Sequence, residues 1–195
     1  QKAKAAVDKL IAKRCGLIIV TGEPGNGRRT FVSLLLEEMA TRLGGAVWIG
    51  DGTEPPGSDL VPRLKTDTLA QITPEQLMEA MPDCVAAAIT VKKDDVATWR
   101  FAVQQAERKI IVLLAEYHDA AEALTFCLKA GVSGVDLQRQ LRLVVTPLLL
   151  HRLCEKCAVP CKMPKRFVEE FIRLGLPTNR LRGKAGCLEC DHSGV

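Results

Sequence analysis

Apolar and polar positions follow two rhythms along this chain, one helical and one of short continuous apolar runs. Residues 1–14 have helical spacing, with Ala6, Leu10 and Ile11 on one face and lysines around the rest. Residues 16–21 are apolar without interruption, as expected of a strand buried on both faces of a parallel sheet. Residues 22–27 form a glycine-rich loop. The helical rhythm returns over 30–43, with Phe31, Leu34, Leu35 and Met39 on the apolar side, and Gly44 with Gly45 ends it. Residues 46–49 read as the next strand, and residues 52–66, rich in Gly, Pro and Asp, as a loop. Thr73 caps a further helix with Pro74 at its first position and Glu75 and Gln76 behind it. Strands follow at 85–91 and 110–114, with helices over 94–108, 119–130 (ended by Gly131) and 137–152. Strands alternating with helices of these lengths predict an α/β fold, a parallel sheet flanked by helices on both faces.

Composition changes this picture little. The chain has 195 residues, 47% hydrophobic and 26% charged, which suits one full core with a small appendix. Aromatics make up only 4%, so Val, Leu, Ile and Ala must build the core. A net charge of +4, with Lys and Arg spread along the chain, argues against a nucleic-acid binder. The longest apolar stretches, such as 143–150, fall well short of the ~20 residues of a spanning helix, so membrane insertion is not expected. No secretory signal is visible at the start. The chain opens on Gln1 and stops just after a turn-like run at 191–194, which reads as a fragment of a larger protein. Composition shifts near His151, which sets the expected domains at 1–150 and 151–195.

Eight cysteines raise the question of disulfides, but their placement answers it differently. Cys15, Cys84 and Cys127 stand alone in apolar or helical settings, where a reduced cysteine is a small hydrophobe. The other five crowd into the last quarter, which favours a metal site in a reducing compartment. Cys154 with Cys157 and Cys187 with Cys190 are two CxxC knuckles, separated by 158–186 with a helix expected over 165–174. Two knuckles supply the four thiolates that tetrahedral zinc prefers, and leave no open position, so the expected zinc is structural. Cys161 and His192 are spare ligand candidates.

The loop from Gly22 to Thr30 sits between a buried strand and a helix, where backbone N–H groups and a helix N-terminus can cradle phosphates. Gly22 and Gly27 fit GxxxxG, with Gly25 between them. The next two positions, Lys then Ser or Thr in a working loop, are Arg28 and Arg29. Arginine's wide fork is no neutral replacement for lysine. Thr30 does not restore the Mg²⁺-binding hydroxyl, because one residue turns a side chain by ~100° around a helix. A guanidinium ~4 Å from a divalent ion costs on the order of 8 kcal/mol at an effective dielectric of ~20. The chemistry therefore predicts phosphate affinity at best and no Mg-dependent hydrolysis. Arg28 and Arg29 read equally as anion contacts or as a basic helix start.

Together these residues resemble the ATPases of type II secretion and type IV pilus assembly. The likeness rests on the apolar run into Gly22, on 119–121 leading to 128–132, and above all on 148–157 with 186–194, which carry the paired knuckles. It implies a RecA-like P-loop domain with a C-terminal zinc-knuckle subdomain. It also implies ATP as the family's cofactor, oligomers with homologous ATPase subunits, and inner-membrane platform proteins as partners. The departures from the family pattern are as telling. Only Asp51 remains of the acidic box, Lys92 or its neighbours stand where the Walker B glutamate belongs, and the histidine box around His118 is about one residue short. His118 then reads as an ordinary loop histidine, and residues 92–95 as a solvated turn. Four damaged elements point to a pseudo-ATPase acting through contacts at the cytoplasmic side of the inner membrane. The rival readings are a working motor ATPase and a zinc-containing nucleic-acid binder.

Overall fold

A computed structural model describes residues 2–50, 58–65, 83–178 and 181–195. The chain divides into two compact units, Gln1–Leu149 and Leu150–Val195. In the first unit the described elements run α1 (Lys2–Lys13), β1 (Gly16–Val20), α2 (Arg28–Leu43), β2 (Ala46–Gly50), β3 (Arg63–Lys65) and β4 (Ala86–Val91). They continue through α3 (Val96–Gln105), β5 (Ile110–Ala115), α4 (Ala120–Lys129), α5 (Gly134–Gln140) and β6 (Leu141–Val145). The six strands form one sheet in the order β3-β2-β4-β5-β1-β6, and every pairing in it is parallel.

The period-2 geometry of strands explains why these runs are apolar at every position. Ile18 and Val20 of β1, Trp48 of β2, Ala88 of β4 and Val112 of β5 face a core shared with α1 and α2. Their chain neighbours Leu17, Ile19, Ile49, Ile89 and Leu113 face a second core shared with α3, α4 and α5. A strand covered on both faces has no position left for a polar side chain. β4 contributes three consecutive alanines, all fully buried, and the large buried rings of Trp48 and Trp99 supply volume in the two cores.

The expected α/β architecture is therefore present, with three corrections. First, the predicted helix over 137–152 is instead the short α5, then β6, then extended chain. β6 pairs in parallel with β1 at the sheet edge, and the β-branched Val144 and Val145 suit that setting. Pro147 just beyond has no N–H to continue a helix. Second, the loop expected over 52–66 contains β3, paired to β2. Third, Leu34 on α2 is 62% exposed, and Val32 and Leu36 are buried beside Leu35 and Met39. Asp51 and the helix start at Thr73 lie outside the described residues.

The second unit has little interior. Its elements are a two-residue ribbon of β7 (Val159–Pro160) and β8 (Arg182–Gly183), the helix α6 (Lys165–Arg173) and a 3-10 turn (Leu188–Cys190). Among its described residues only Ala158 and Gly194 are buried.

Candidate functional sites: a glycine loop and a thiol tetrad

Parallel strands deliver their C-terminal ends to one edge of the sheet, the edge where α/β proteins place their ligands. Here β1 leads into Thr21 and the glycine loop, β5 into Glu116, Tyr117 and His118, and β4 into Lys92–Asp95. Tyr117 ties all three together. Its backbone N–H donates to Thr21 Oγ1 (3.2 Å), and its carbonyl accepts from Thr21 Oγ1 (2.9 Å) and from the Gly22 N–H (2.8 Å). Its hydroxyl accepts from the Asp94 N–H at 3.3 Å. The ring packs between Trp99 and Phe126, with centroids 6.0 and 5.3 Å away, and burial pushes the phenol's pKa up.

The glycines of the loop have the backbone that their sequence positions suggest. Gly25 and Gly27 have φ of 85° and 77°, and Gly27 is the N-cap of α2. This left-handed backbone is the reason for glycine there. A cavity of about 360 Å³ lies against them, lined by Gly25, Gly27, Arg28, Thr30, Glu116 and Leu149 among others. A Cβ at Gly27 would meet Leu149 at 3.3 Å.

Arg28, at the place of the phosphate-contacting lysine, is drawn back to β5. Its Nη1 donates to the Ala115 carbonyl at 2.8 Å and its Nη2 to Glu116 Oε1 at 3.0 Å. Only 8% of the side chain is exposed. Arg29 and Thr30 line the cavity. Arg28 is the first residue of α2, a basic helix start, and its guanidinium is turned onto the end of β5.

The remaining expected elements hold local roles. Lys92 is exposed, Asp94 has a left-handed φ of 66°, and Asp95 caps α3 by accepting from the Thr98 N–H at 3.1 Å. His118 is 72% exposed, with Nδ1 2.9 Å from Glu23 Oε1 and its N–H donating to Glu122 Oε2. Thr21 closes the apolar run into the loop, and Glu116 and Tyr117 stand beside His118, but the sequence pattern assigns none of the three a role of its own.

In the second unit Cys154, Cys157, Cys187 and Cys190 converge, with all four sulfurs within 4.8 Å of one another. The Sγ–Sγ separations are 3.9 Å for Cys154 and Cys187, and 3.8 Å both for Cys157 with Cys190 and for Cys187 with Cys190. These are far from a disulfide length of ~2.05 Å. A tetrahedron of metal–sulfur bonds of ~2.3 Å has edges of ~3.8 Å, so the four thiols fit a tetrathiolate metal centre. Backbone N–H groups already point at the sulfurs: Gly186 to Cys157, and Cys187 and Gly194 to Cys190, at 3.2–3.3 Å. The Cys187 and Gly194 N–H groups help lower the Cys190 pKa to about 6, whereas desolvation pushes Cys157 up to about 11. Gly186 is required by space as well as by its φ of +96°, because a Cβ there would sit 2.6 Å from the His192 carbonyl. The spare candidates lie outside the tetrad. His192 donates its N–H to the Cys187 carbonyl, and Cys161 packs at Gly183 on the ribbon.

No protein-family profile matches the chain. Individual proteins do. Type II secretion system protein E of Aeromonas hydrophila is 26% identical over 96% of this chain and 38% of its own length. The type IV pilus assembly ATPase PilB of Thermus thermophilus is 25% identical over 95% of this chain and 21% of its own length. The chain thus spans well under half of either relative. Among solved structures, the Legionella pneumophila ATPase DotB superposes with a TM-score of 0.56 at 15% identity, over 80% of this chain and 45% of DotB. The VirB11 ATPase of the Brucella suis type IV secretion system gives 0.53 at 12% identity, over 74% of this chain and 46% of VirB11. At those identities the superpositions speak for the fold. Along nearly its whole length the chain is thus similar in sequence to type II secretion and type IV pilus assembly ATPases, and it shares the fold of secretion ATPases of known structure.

Proposed function

We propose that this chain is a pseudo-ATPase domain of the type II secretion and type IV pilus assembly branch, working through protein contacts rather than Mg-dependent hydrolysis. The observation that carries the reading is Arg28. In the position where a lysine would reach toward phosphate, a buried arginine is held by the Ala115 carbonyl and Glu116. Arg29 follows where a hydroxyl would hold Mg²⁺, and a cation there opposes a divalent metal. Lys92 at the expected place of a catalytic carboxylate adds to the same conclusion.

The tetrathiolate centre would hold zinc through Cys154, Cys157, Cys187 and Cys190, fixing the knuckles as a docking module. The partners this reading implies are homologous ATPase subunits and inner-membrane platform proteins of a secretion or pilus machine, met at the cytoplasmic face. Among the described residues no helix is long and apolar enough to cross a membrane. A second reading, a working motor, draws on the likeness to type IV pilus assembly ATPases.

The deciding experiment is calorimetric titration of ATP into the zinc-loaded protein with and without Mg²⁺, alongside a phosphate-release assay. The expected result is no Mg-dependent binding and no release. Mg-dependent binding with turnover would restore the motor reading.

A further inference from the structure

The contact that holds Arg28 also sets a carboxylate on the lip of the cradle. Arg28 is the first residue of α2, and 92% of its side chain is covered, whereas Glu116 keeps 56% of its own exposed. Glu116 lines the same cavity as Gly25, Gly27 and Thr30. A carboxylate oxygen and a phosphoryl oxygen accept from a guanidinium in the same charge-assisted way. We infer that Glu116 is an internal anion: it takes the place on Arg28 that a phosphoryl group would take, and so closes the cradle to polyphosphates.

This inference rests on the reading above that the loop holds no Mg²⁺, and adds a cause and a ligand class to it. An incoming polyphosphate would have to displace Glu116 from Arg28 and then sit beside its charge. Magnesium, which ordinarily neutralises such crowding, is opposed by Arg29. With the Glu116 charge removed, the left-handed glycine backbone, the start of α2 and two arginines face the same cavity. The ligand they suit is a metal-free polyphosphate, either inorganic tripolyphosphate or the triphosphate of a nucleotide. Glu116 is therefore an autoinhibitory residue, and the loop is latched rather than dismantled.

The test is Glu116→Gln, which keeps size and an acceptor oxygen but removes the charge. Glu116→Ala, which also removes the acceptor, serves as a second variant. Tripolyphosphate and ATP are each titrated without Mg²⁺ into zinc-loaded wild type and variants, with far-UV circular dichroism to establish that the fold is kept. The expected result is a gain in affinity of about tenfold or more in both variants, the scale of one charge-assisted hydrogen bond. That gain should vanish when Arg28→Ala is added to Glu116→Gln. Equal gains for tripolyphosphate and ATP mean that phosphate alone is recognised, and a larger gain for ATP means that the nucleoside contributes. Variants that bind no better than wild type, or a gain that survives loss of Arg28, would overturn the inference. Metal-free binding equally tight in wild type would overturn the inhibitory role alone. Mg-dependent turnover by wild type would instead overturn the proposed function.

Discussion

At the scale of single residues, this chain shows how a neighbour decides what a side chain can do. Cys127 on α4 is fully buried among the aromatic and aliphatic side chains of one core, and desolvation pushes its thiol from an ordinary value near 9 up to about 11. Burial disfavours the thiolate, so the folded state holds the proton more tightly than the unfolded chain. The resulting stability is complete below about pH 9 and is lost as pH rises through about 11. Urea unfolding at pH 8 and pH 10.5 should therefore show a larger loss of stability in wild type than in Cys127→Ala. Equal losses would mean that the thiol is not held neutral. Arg28 and Glu116 follow the same logic with charges. Neither residue type signals a latch, and only their meeting across 88 positions makes one.

At the scale of elements, local chemistry starts helices while the sheet determines which segments become strands. Asp119 caps α4, its carboxylate accepting from the Glu122 N–H at 2.8 Å. Replacing a cap of this kind costs about 1 kcal/mol. Asp119→Ala is expected to lower the stability of the first unit by that amount, read from the urea midpoint. An unchanged midpoint would show that the cap is redundant with packing. The glycine stop at Gly131 was legible in the sequence because it is a local signal, whereas Asp119 was read as part of the helix and not as its cap. The strand β6 was not. Its residues carry a helical apolar rhythm, and only a free edge beside β1 turns them into a strand. Leu34 failed in the same manner. Spacing put it on the apolar side of α2, but the core that α2 faces is filled by Val32, Leu35, Leu36 and Met39.

For the molecule as a whole, the two units draw stability from different sources. The first buries two continuous cores, one on each face of its sheet. The second has 46 residues, and its exposed large side chains include Phe167, Ile172, Leu174 and Leu188. A unit of that size with so little interior depends on a metal or cross-links, and none of its five cysteines is in a disulfide. On the zinc centre proposed above, removing the metal with a strong chelator should therefore unfold the second unit alone. Trp48, Trp99 and Tyr117, all the tryptophans and the one tyrosine, lie in the first unit. The expected outcome is unchanged tryptophan fluorescence with a loss of helical circular dichroism from α6. A parallel loss of both signals would mean that the metal supports the whole chain.

The sequence alone determined the features that depend on neighbouring residues or on composition. These are the alternation of buried strands with helices, the glycine loop with its Arg28–Arg29 substitution, and two cysteine knuckles whose residue type already selects a soft metal. Periodicity and backbone sterics act over a few residues, so one sequence displays them. Tertiary structure alone decided the closure of four sulfurs to tetrahedral edges, the strand at 141–145, and the capture of Arg28 by a strand end and Glu116. Each of those depends on groups brought together from distant positions. Their energies appear only when the sheet and the knuckles have set the distances.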